Sequence, residues 1–174
     1  MRKVVFEIAT SLDGFITGDE EALDWLLWGE EAGARVGALW KRVDTLLMGR
    51  KTYDFAARSG GGDDGSSKIR TCIFSRTMTE APKGAELVRD DAGGFVRALK
   101  QQDGGDIYAM GGGDLAATLL DAGVVDQLGL NIHPVLLGSG TPLFPGLARR
   151  VDLELAECVP MKNGCVLLSY SVKA

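Results

Sequence analysis

The first two-thirds of the chain alternates short apolar runs with amphipathic segments, the pattern of a fold built from β/α units. Apolar runs of strand length occur at residues 2–10, 43–48, 69–74, 86–88 and 106–110. Apolar residues recur at helical spacing over residues 30–42, 90–102 and 114–122. A further helix is predicted over Asp19–Trp28, and a flexible loop over Arg58–Lys68, which is rich in glycine and serine.

The last third of the chain changes to strand-like periodicity. Residues 124–133 are rich in apolar side chains, and residues 151–159 and 164–172 alternate apolar with polar positions. Asn163-Gly164 between the last two segments predicts a hairpin turn. We therefore expect one α/β domain over residues 1–174, with a mostly parallel sheet that ends in antiparallel strands.

Composition narrows the possible partners. The chain has 174 residues, a net charge of −5 and 45% hydrophobic residues. The negative charge disfavours non-specific binding to nucleic acid, which requires lysine and arginine to neutralise phosphates. The sequence contains no apolar run near the ~18 residues that a membrane span needs. We therefore expect neither nucleic-acid nor membrane partners.

Cysteine and histidine usage argues against metal and disulfide chemistry. The three cysteines, Cys72, Cys158 and Cys165, are odd in number, widely separated and without a Cys-x-x-Cys pair. His133 is the single histidine, and it follows an apolar run, where a structural role is expected. We expect no metal site, and the free cysteines favour a reducing, cytoplasmic location.

A triple glycine stands where a strand passes directly into a helix. Asp106–Met110 is the strand, Gly111-Gly112-Gly113 the turn, and the helix starts near Asp114. Glycine permits close approach of a ligand to the backbone, and a helix N-terminus attracts phosphate. Gly111-x-Gly113-x-x-Ala116 formally matches a dinucleotide-binding fingerprint, but it occurs late in the chain and no acidic residue ends the next strand.

Two other predicted strands end in groups that bind phosphate. Gly49-Arg50-Lys51-Thr52 follows the strand at 43–48, and Ser75-Arg76 follows the strand at 69–74. A solvated basic turn is the alternative for the first group. Because parallel strands end at the same sheet edge, we expect a phosphorylated nucleotide to be shared by three strand ends.

These motifs together resemble a known family. Met48-Gly49-Arg50-Lys51-Thr52-Tyr53, Phe74-Ser75-Arg76 and the triple glycine resemble the cofactor motifs of dihydrofolate reductases. Ser11-Leu12-Asp13-Gly14-Phe15-Ile16, with residues 119–128 and Pro134–Gly140, is similar to one branch of that superfamily. That branch comprises the reductase domain of the bifunctional riboflavin-biosynthesis deaminase/reductase and its stand-alone bacterial relatives.

The resemblance implies a dihydrofolate reductase-like α/β fold, with a mixed sheet of about eight strands, helices on both faces and a C-terminal antiparallel hairpin. It implies an NADPH-dependent oxidoreductase that acts on a small molecule and forms a homodimer. The cofactor-binding residues it implies are Ala9, Thr10, Ile16, Gly49, Arg50, Lys51, Thr52, Ser75, Arg76, Gly111, Gly112, Gly113, Asp114 and Leu115.

Two features depart from the family pattern. Dihydrofolate reductases often have a basic residue after the glycines, where this chain has Asp114. A carboxylate beside a pyrophosphate is unfavourable unless it caps its own helix and faces away. The helix carboxylate that supports substrate protonation in dihydrofolate reductases has no clear match here, and Asp13 is the best remaining carboxylate, with a simple Asp-Gly turn as its alternative role.

The substrate side of the site is less defined. Candidate substrate contacts are Asp13, Trp25 and Leu137, although core packing is an alternative for the tryptophans. Phe15 and Ile16 either line a ligand cleft or fold back onto the core. We expect a hydride transfer to a pterin-like, pyrimidine-like or carbonyl substrate. The alternatives are the riboflavin-pathway reductase, which reduces a phosphoribosylaminouracil, and a non-catalytic NADP-binding sensor or structural dimer.

Overall fold

The computed structural model describes residues 1–59 and 68–173, and its centre is a sheet of eight strands. These strands are β1 (Val4–Ser11), β3 (Val43–Gly49), β4 (Arg70–Phe74), β5 (Ala85–Val88), β6 (Asp106–Gly111), β7 (Gln127–His133), β9 (Leu153–Pro160) and β10 (Val166–Val172). Their order across the sheet is β5-β4-β3-β6-β1-β7-β10-β9. The glycine-rich part of the predicted loop, residues 60–67, lies outside the described residues.

Strand direction divides the sheet into two parts. The six strands from β5 to β7 are parallel to one another. β10 runs antiparallel to β7, and β9 antiparallel to β10, so the predicted C-terminal hairpin completes the sheet. The prediction of a mostly parallel sheet with an antiparallel end is confirmed. As a consequence, the carboxyl ends of all six parallel strands meet at one edge.

Helices cover both faces of the sheet. They are α1 (Glu30–Trp40), α2 (Arg50–Arg58), α3 (Ala92–Lys100) and α4 (Gly113–Asp121). Val4 and Phe6 of β1 face the main core, which includes the apolar sides of α3 and α4. The intervening Val5 packs on the opposite face against Leu39 of α1. This alternation along one strand explains why β1 is apolar on both faces.

The prediction of a helix over Asp19–Trp28 is wrong. Only a short 3-10 helix, Asp19–Glu21, forms there, and the segment from Ala22 to Gly29 has no regular secondary structure. This segment is fixed by tertiary contacts instead. The backbone N–H of Leu27 donates to Nδ1 of His133 at 3.1 Å, and the Trp25 ring packs edge-on against the His133 ring at 5.2 Å. These contacts override the helical spacing of the leucines.

The segment after β1 contains a strand that the sequence did not predict. β2 (Phe15–Thr17) pairs with β8 (Thr141–Pro142) in a separate antiparallel sheet of two strands. Ile16 packs against the main core, which supports the interpretation that this side chain folds inwards. The pairing anchors the segment after β1 to the segment that precedes β9.

Candidate functional site

The three strand ends that the sequence singled out are neighbours in the sheet. β3 lies between β4 and β6, and all three strands run parallel. Gly49 at the end of β3 pairs with Phe74 of β4, and Met48 pairs with Gly111 of β6. The segments that begin at Gly49, Ser75 and Gly111 therefore emerge side by side. This edge, formed by the ends of β3, β4 and β6, is called the three-strand edge below.

Glycines bring two of these backbones close together. A Cβ atom on Gly49 would lie 3.7 Å from the backbone nitrogen of Gly112. A Cβ atom on Gly112 would lie 3.4 Å from Oγ1 of Thr52, in the first turn of α2. The peptide bond between Gly111 and Gly112 is cis, and Gly111 has a φ of +132°, a region that favours glycine. The segments after β3 and β6 therefore approach each other closely at these glycines.

Gly113 has a different role from its neighbours. A Cβ atom here would lie 2.7 Å from Cδ of Pro145 and 2.8 Å from two carbonyl oxygens, those of Pro142 and Leu143. Gly113 therefore lets the start of α4 pack against the segment after β8. Its absence of a side chain serves packing, whereas Gly49 and Gly112 face less crowded surroundings.

Cationic side chains are grouped at this edge. Nη1 of Arg50 donates a hydrogen bond to Oγ1 of Thr77 at 2.9 Å, and Nε lies 3.4 Å from Oδ2 of Asp54. Arg76 is exposed and has no hydrogen bond or ion pair within residues 1–59 and 68–173. Lys51 is also exposed, on the first turn of α2. The edge thus carries positive charge that the described residues only partly neutralise.

Ser75 is held in a tight turn. Its Oγ atom accepts hydrogen bonds from the backbone N–H groups of Met78, at 3.0 Å, and Thr77, at 3.3 Å. The backbone N–H of Ser75 donates to the carbonyl of Val88 at 3.0 Å. Ser75 therefore shapes the segment that carries Arg76 and Thr77, and its Oγ also lies 3.5 Å from Oγ1 of Thr77.

Asp114 lies on the exposed side of the first turn of α4. The N-cap residue is Gly112, and no side chain caps the helix. Asp114 therefore does not cap its own helix. A carboxylate in the first turn is nevertheless favourable to the helix dipole. Leu115 beside it is buried and belongs to the main core.

Asp13 is hydrogen-bonded to donors from two segments. Its Oδ1 accepts from Oγ of Ser11 at 2.6 Å and from the backbone N–H of Leu137 at 3.1 Å, while Oδ2 accepts from the N–H of Gly138 at 2.8 Å. These hydrogen bonds, that from Ser11 above all, lower the pKa of Asp13 from its ordinary value of 3.8. Asp13 therefore joins the loop after β1 to the loop after β7, where Leu137 lies.

Ala9 and Thr10 lie near the end of β1, beside β7. Ala9 pairs with Asn131, and Ser11 pairs with His133. The Thr10 hydroxyl is buried and donates to the carbonyl of Phe15 at 3.1 Å, so it stabilises the turn into β2. The two residues thus border the three-strand edge on its β1 side, since β1 is the neighbour of β6.

His133 organises the region around Trp25. It is 2% exposed, and burial lowers the pKa of its imidazole. Besides the Leu27 N–H, Nδ1 lies 3.5 Å from Sγ of Cys165, and Nε2 lies 3.2 Å from the side-chain amide of Asn131. Burial also raises the pKa of the Cys165 thiol, which keeps it protonated. These groups form a buried polar cluster rather than an activated nucleophile.

A cavity of about 430 Å³ lies beside α2. It is lined by Glu21, Lys51, Asp54, Ala57 and Arg58, and an ion pair of 2.9 Å joins Arg58 to Glu21. The cavity therefore separates the short 3-10 helix from α2.

In the described parts of the chain, no three or more His, Cys, Asp or Glu residues form a group that could hold a metal ion. None of the helices described has the length and apolar character needed to cross a bilayer.

Three residues at or near the site were missed by the sequence analysis. Thr77 contacts Arg50, and Arg89 directly follows β5 at the same edge, with its guanidinium donating to the carbonyl of Thr79 at 2.8 Å. Asn131 lies beside Ala9. A polar side chain in the apolar run of β7 could have indicated Asn131. The position after a parallel strand could have indicated Arg89.

Known proteins share this architecture. Residues 2–167 match the RibD C-terminal domain family. The chain is 31% identical to the uncharacterized protein YyaP of Bacillus subtilis over 179 residues, which cover 97% of this chain and 94% of YyaP. A solved structure of a candidate riboflavin biosynthesis protein from Shewanella sp. PV-4 is 29% identical, with a TM-score of 0.85 over all of both chains.

The fold extends to more distant structures. Dihydrofolate reductase from Enterococcus faecalis, solved with NADP(H) and RAB-propyl, gives a TM-score of 0.71 at 16% identity, over 99% of this chain and 97% of that one. At this identity the likeness concerns the fold alone. The predicted dihydrofolate reductase-like fold is thereby confirmed, and the chain belongs to the RibD C-terminal domain family.

Proposed function

We propose that this protein is an NADPH-dependent reductase that transfers a hydride to a small heterocyclic or carbonyl substrate. The observation that carries the proposal is the three-strand edge, where Arg76 has no partner among the described residues and lies next to the Arg50–Thr77 hydrogen bond. A guanidinium without a protein partner at such an edge is suited to a phosphate. Family membership and the NADP(H)-bound fold relative support the same cofactor.

The residues present fit a dinucleotide. We assign Gly49, Arg50, Lys51 and Thr52 to the cofactor phosphates, with Ser75 and Arg76 at the 2′-phosphate. Gly111 to Leu115 would pass below the pyrophosphate and the nicotinamide half, bordered by Ala9, Thr10 and Ile16. The close approach of Gly49 to Gly112, and of Gly112 to Thr52, supports this assignment, since it brings the segments after β3 and β6 within reach of one ligand.

The exposed carboxylate of Asp114 bears on the choice of dinucleotide. It adds negative charge near the pyrophosphate, but Arg50, Lys51 and Arg76 supply positive charge for a 2′-phosphate, which only NADPH carries. We therefore propose a preference for NADPH over NADH.

When bound, NADPH supplies the hydride, and the chain contributes positioning and exclusion of water. Asp13 accepts three hydrogen bonds, which keep its carboxylate ionised at neutral pH. We therefore assign Asp13 to holding the loop after β7, with Leu137 and Trp25 as substrate contacts, and we assign the proton to water. Asp13 would act on turnover through the position of that loop.

A titration and a turnover assay test this proposal. NADPH and NADH are titrated separately, with intrinsic tryptophan fluorescence as the signal, and tighter binding of NADPH is expected. Oxidation of NADPH is then followed with a panel that contains a dihydropterin, a phosphoribosylaminouracil and a quinone. Failure to bind NADPH would refute the cofactor assignment.

The same panel separates the two alternatives. Selective turnover of the phosphoribosylaminouracil would identify the riboflavin-pathway reductase, a possibility that the family and the Shewanella relative favour. Tight NADPH binding without oxidation by any substrate of the panel would identify a non-catalytic NADP-binding protein.

We also propose a cytoplasmic homodimer. Every residue of the edge strand β9 is exposed, including Leu153, Leu155 and Val159. An exposed edge strand with apolar side chains is suited to pairing with a second copy. Light scattering is expected to give twice the mass of one chain, and Leu155→Lys is expected to give the mass of one chain. A wild-type monomer would refute the dimer.

The free state of Cys72, Cys158 and Cys165 supports the reducing location.

A further inference from the structure

A row of paired residues crosses four neighbouring strands on the face of the sheet that α1 covers. Glu7 of β1 pairs with Gly129 of β7. Ser169 of β10 pairs with Gly129 on one side and with Glu157 of β9 on the other. Residues paired in this way project from the same face of the sheet. Arg35 of α1 contacts Glu7, Ser169 and Glu157, so the row places two carboxylates and a hydroxyl beneath this helix.

Glu7 has the weakest pairing in this row. It is the one charged residue of β1, and its side chain is 14% exposed. Within residues 1–59 and 68–173 its carboxylate has a single polar contact, in which Oε1 lies 3.3 Å from Nη2 of Arg35. Arg35 makes shorter hydrogen bonds to Glu157, at 2.7 Å, and to Ser169, at 2.8 Å. Because charge-assisted hydrogen bonds are typically about 2.7–2.9 Å long, Arg35 satisfies Glu7 only in part.

A cavity of about 240 Å³ adjoins the row, and Glu7, Arg35 and Gly129 are among the residues that line it. A Cβ atom on Gly129 would lie 2.6 Å from Cγ of Glu7, so the Glu7 side chain lies over the strand position that has no side chain of its own. A mostly buried carboxylate with one long contact is costly unless a cation or a further donor completes its pairing. A cationic group of a ligand in this cavity would do so.

The same cavity is lined by donors that lack acceptors. The guanidinium of Arg42 is 49% exposed, and its Nε lies 3.1 Å from Oδ2 of Asp106. In the parts of the chain that the structure describes, its two terminal nitrogens make no hydrogen bond, and neither does the side-chain amide of Gln127. Gln127 is two residues before Gly129 on β7 and projects from the same face. Guanidinium and amide N–H groups are suited to a carboxylate.

The unsatisfied groups of the cavity thus need opposite charges, since Glu7 needs a donor whereas Arg42 and Gln127 need an acceptor. We propose that the cavity is a binding site for a small zwitterion, an α-amino acid. Its ammonium group pairs with Glu7, and its carboxylate accepts hydrogen bonds from Arg42 and Gln127. Among the described residues, none that lines this cavity belongs to the three-strand edge, so the site is separate from the proposed cofactor site.

A comparison of three related ligands tests both charged contacts. The L-amino acids of proteins are first screened against the wild-type protein by saturation-transfer NMR. The tightest binder is then titrated by calorimetry, together with the amine that lacks its carboxylate and the acid that lacks its amino group. Each analogue keeps one charged group and the same side chain. The amino acid is expected to bind at least about tenfold more tightly than either analogue, because each analogue loses a charged hydrogen bond.

Two variants assign the contacts to residues. Glu7→Gln is expected to weaken binding of the amino acid about tenfold and to leave the affinity for the deaminated acid unchanged. Arg42→Gln is expected to weaken the amino acid by a similar factor and to leave the affinity for the amine unchanged. Glu154→Gln makes the same acid-to-amide change at an exposed residue of β9 and should preserve all three affinities. Thermal unfolding establishes that each variant is folded, and Arg42→Gln, at a half-exposed residue, keeps the test decisive if Glu7→Gln does not fold.

A network that only joins α1 to the sheet gives different results. The wild-type protein would then bind no amino acid with a dissociation constant below about 10 mM, and the proposal is overturned. Equal wild-type affinities for the amino acid and its deaminated acid also overturn it. The same holds if Glu7→Gln weakens the amino acid and the deaminated acid by the same factor. NADPH titration of the wild-type protein tests the proposed function separately, because the two sites have different lining residues.

Discussion

Arg50 and Thr77 are joined by a hydrogen bond of 2.9 Å that links the first turn of α2 to the segment after β4. The two residues are 27 positions apart in the chain, and adjacent parallel strands bring them together. The contact fixes the Arg50 guanidinium beside the segment that carries Arg76. A phosphate held between these two segments would encounter a partly preorganised site, which lowers the entropy cost of binding.

Arg76→Ala should weaken NADPH binding by roughly 10- to 100-fold, because hydrogen bonds to charged groups contribute about 1.5–3 kcal/mol. NADH lacks the 2′-phosphate, so its affinity should change little. Fluorescence titration of both cofactors measures the difference. Arg150→Ala is a suitable control, since Arg150 is exposed and pairs with Asp152 rather than with the three-strand edge. Equal losses for the two cofactors would exclude Arg76 from the 2′-phosphate site.

The Gly49→Ala substitution should lower cofactor affinity, whereas the Gly113→Ala substitution should lower the stability of the fold. A Cβ atom on Gly49 makes ordinary contacts of 3.7 Å or more, so this variant should keep its melting temperature and lose cofactor affinity. A Cβ atom on Gly113 would lie 2.7 Å from Pro145, and overpacking of this kind costs about 1–3 kcal/mol. Thermal unfolding and NADPH titration of both variants check this. A stable Gly49→Ala variant with wild-type affinity would refute close approach of the cofactor there.

Asp13→Asn should lower turnover while leaving NADPH binding nearly intact, because it removes an acceptor that holds the loop bearing Leu137. The lowered pKa of Asp13 gives the sign of the pH effect. Its contribution to stability is present above the unfolded pKa near 3.8 and is lost as pH falls through the lower folded value. Unfolding of both proteins across acidic pH measures this contribution. A stability difference that persists in strong acid would contradict it, and unchanged turnover would remove Asp13 from the mechanism.

His133 should make the protein less stable as pH falls below neutrality. Burial lowers the pKa of His133 from 6.5, so the unfolded chain takes up a proton before the folded one does. The stabilisation is complete above 6.5 and is lost as pH falls through the lower folded value. His133 is the only histidine of the chain, so His133→Asn should remove most of this dependence between about pH 5 and 7. Denaturant unfolding at several pH values provides the measurement, and an unchanged slope in the variant would contradict it.

The cofactor side of the candidate site was more predictable than the substrate side. Gly49 and Gly111 end their strands, and Ser75 directly follows β4. The parallel arrangement of these strands was sufficient to place the three residues at one edge. Trp25 and Asn131 could not be placed in this way. Trp25 lies in a segment whose predicted helix does not form. The contact between the side chains of Asn131 and His133 is visible only in the structure.

The sequence by itself determined the order of the eight main strands and of helices α1 to α4, the mostly parallel sheet and the closing hairpin, because the spacing of apolar residues and turn residues is a local property. The tertiary structure decided which strands are neighbours, that β2 pairs with β8, and that Leu27 and Trp25 dock on His133 instead of forming a helix. It also decided that Gly113 packs against the segment after β8, whereas the surroundings of Gly49 are less crowded. These outcomes depend on contacts between residues that are distant in the chain. The energies of such contacts outweigh local conformational preference, and the contacts cannot be recognised from the spacing of apolar residues.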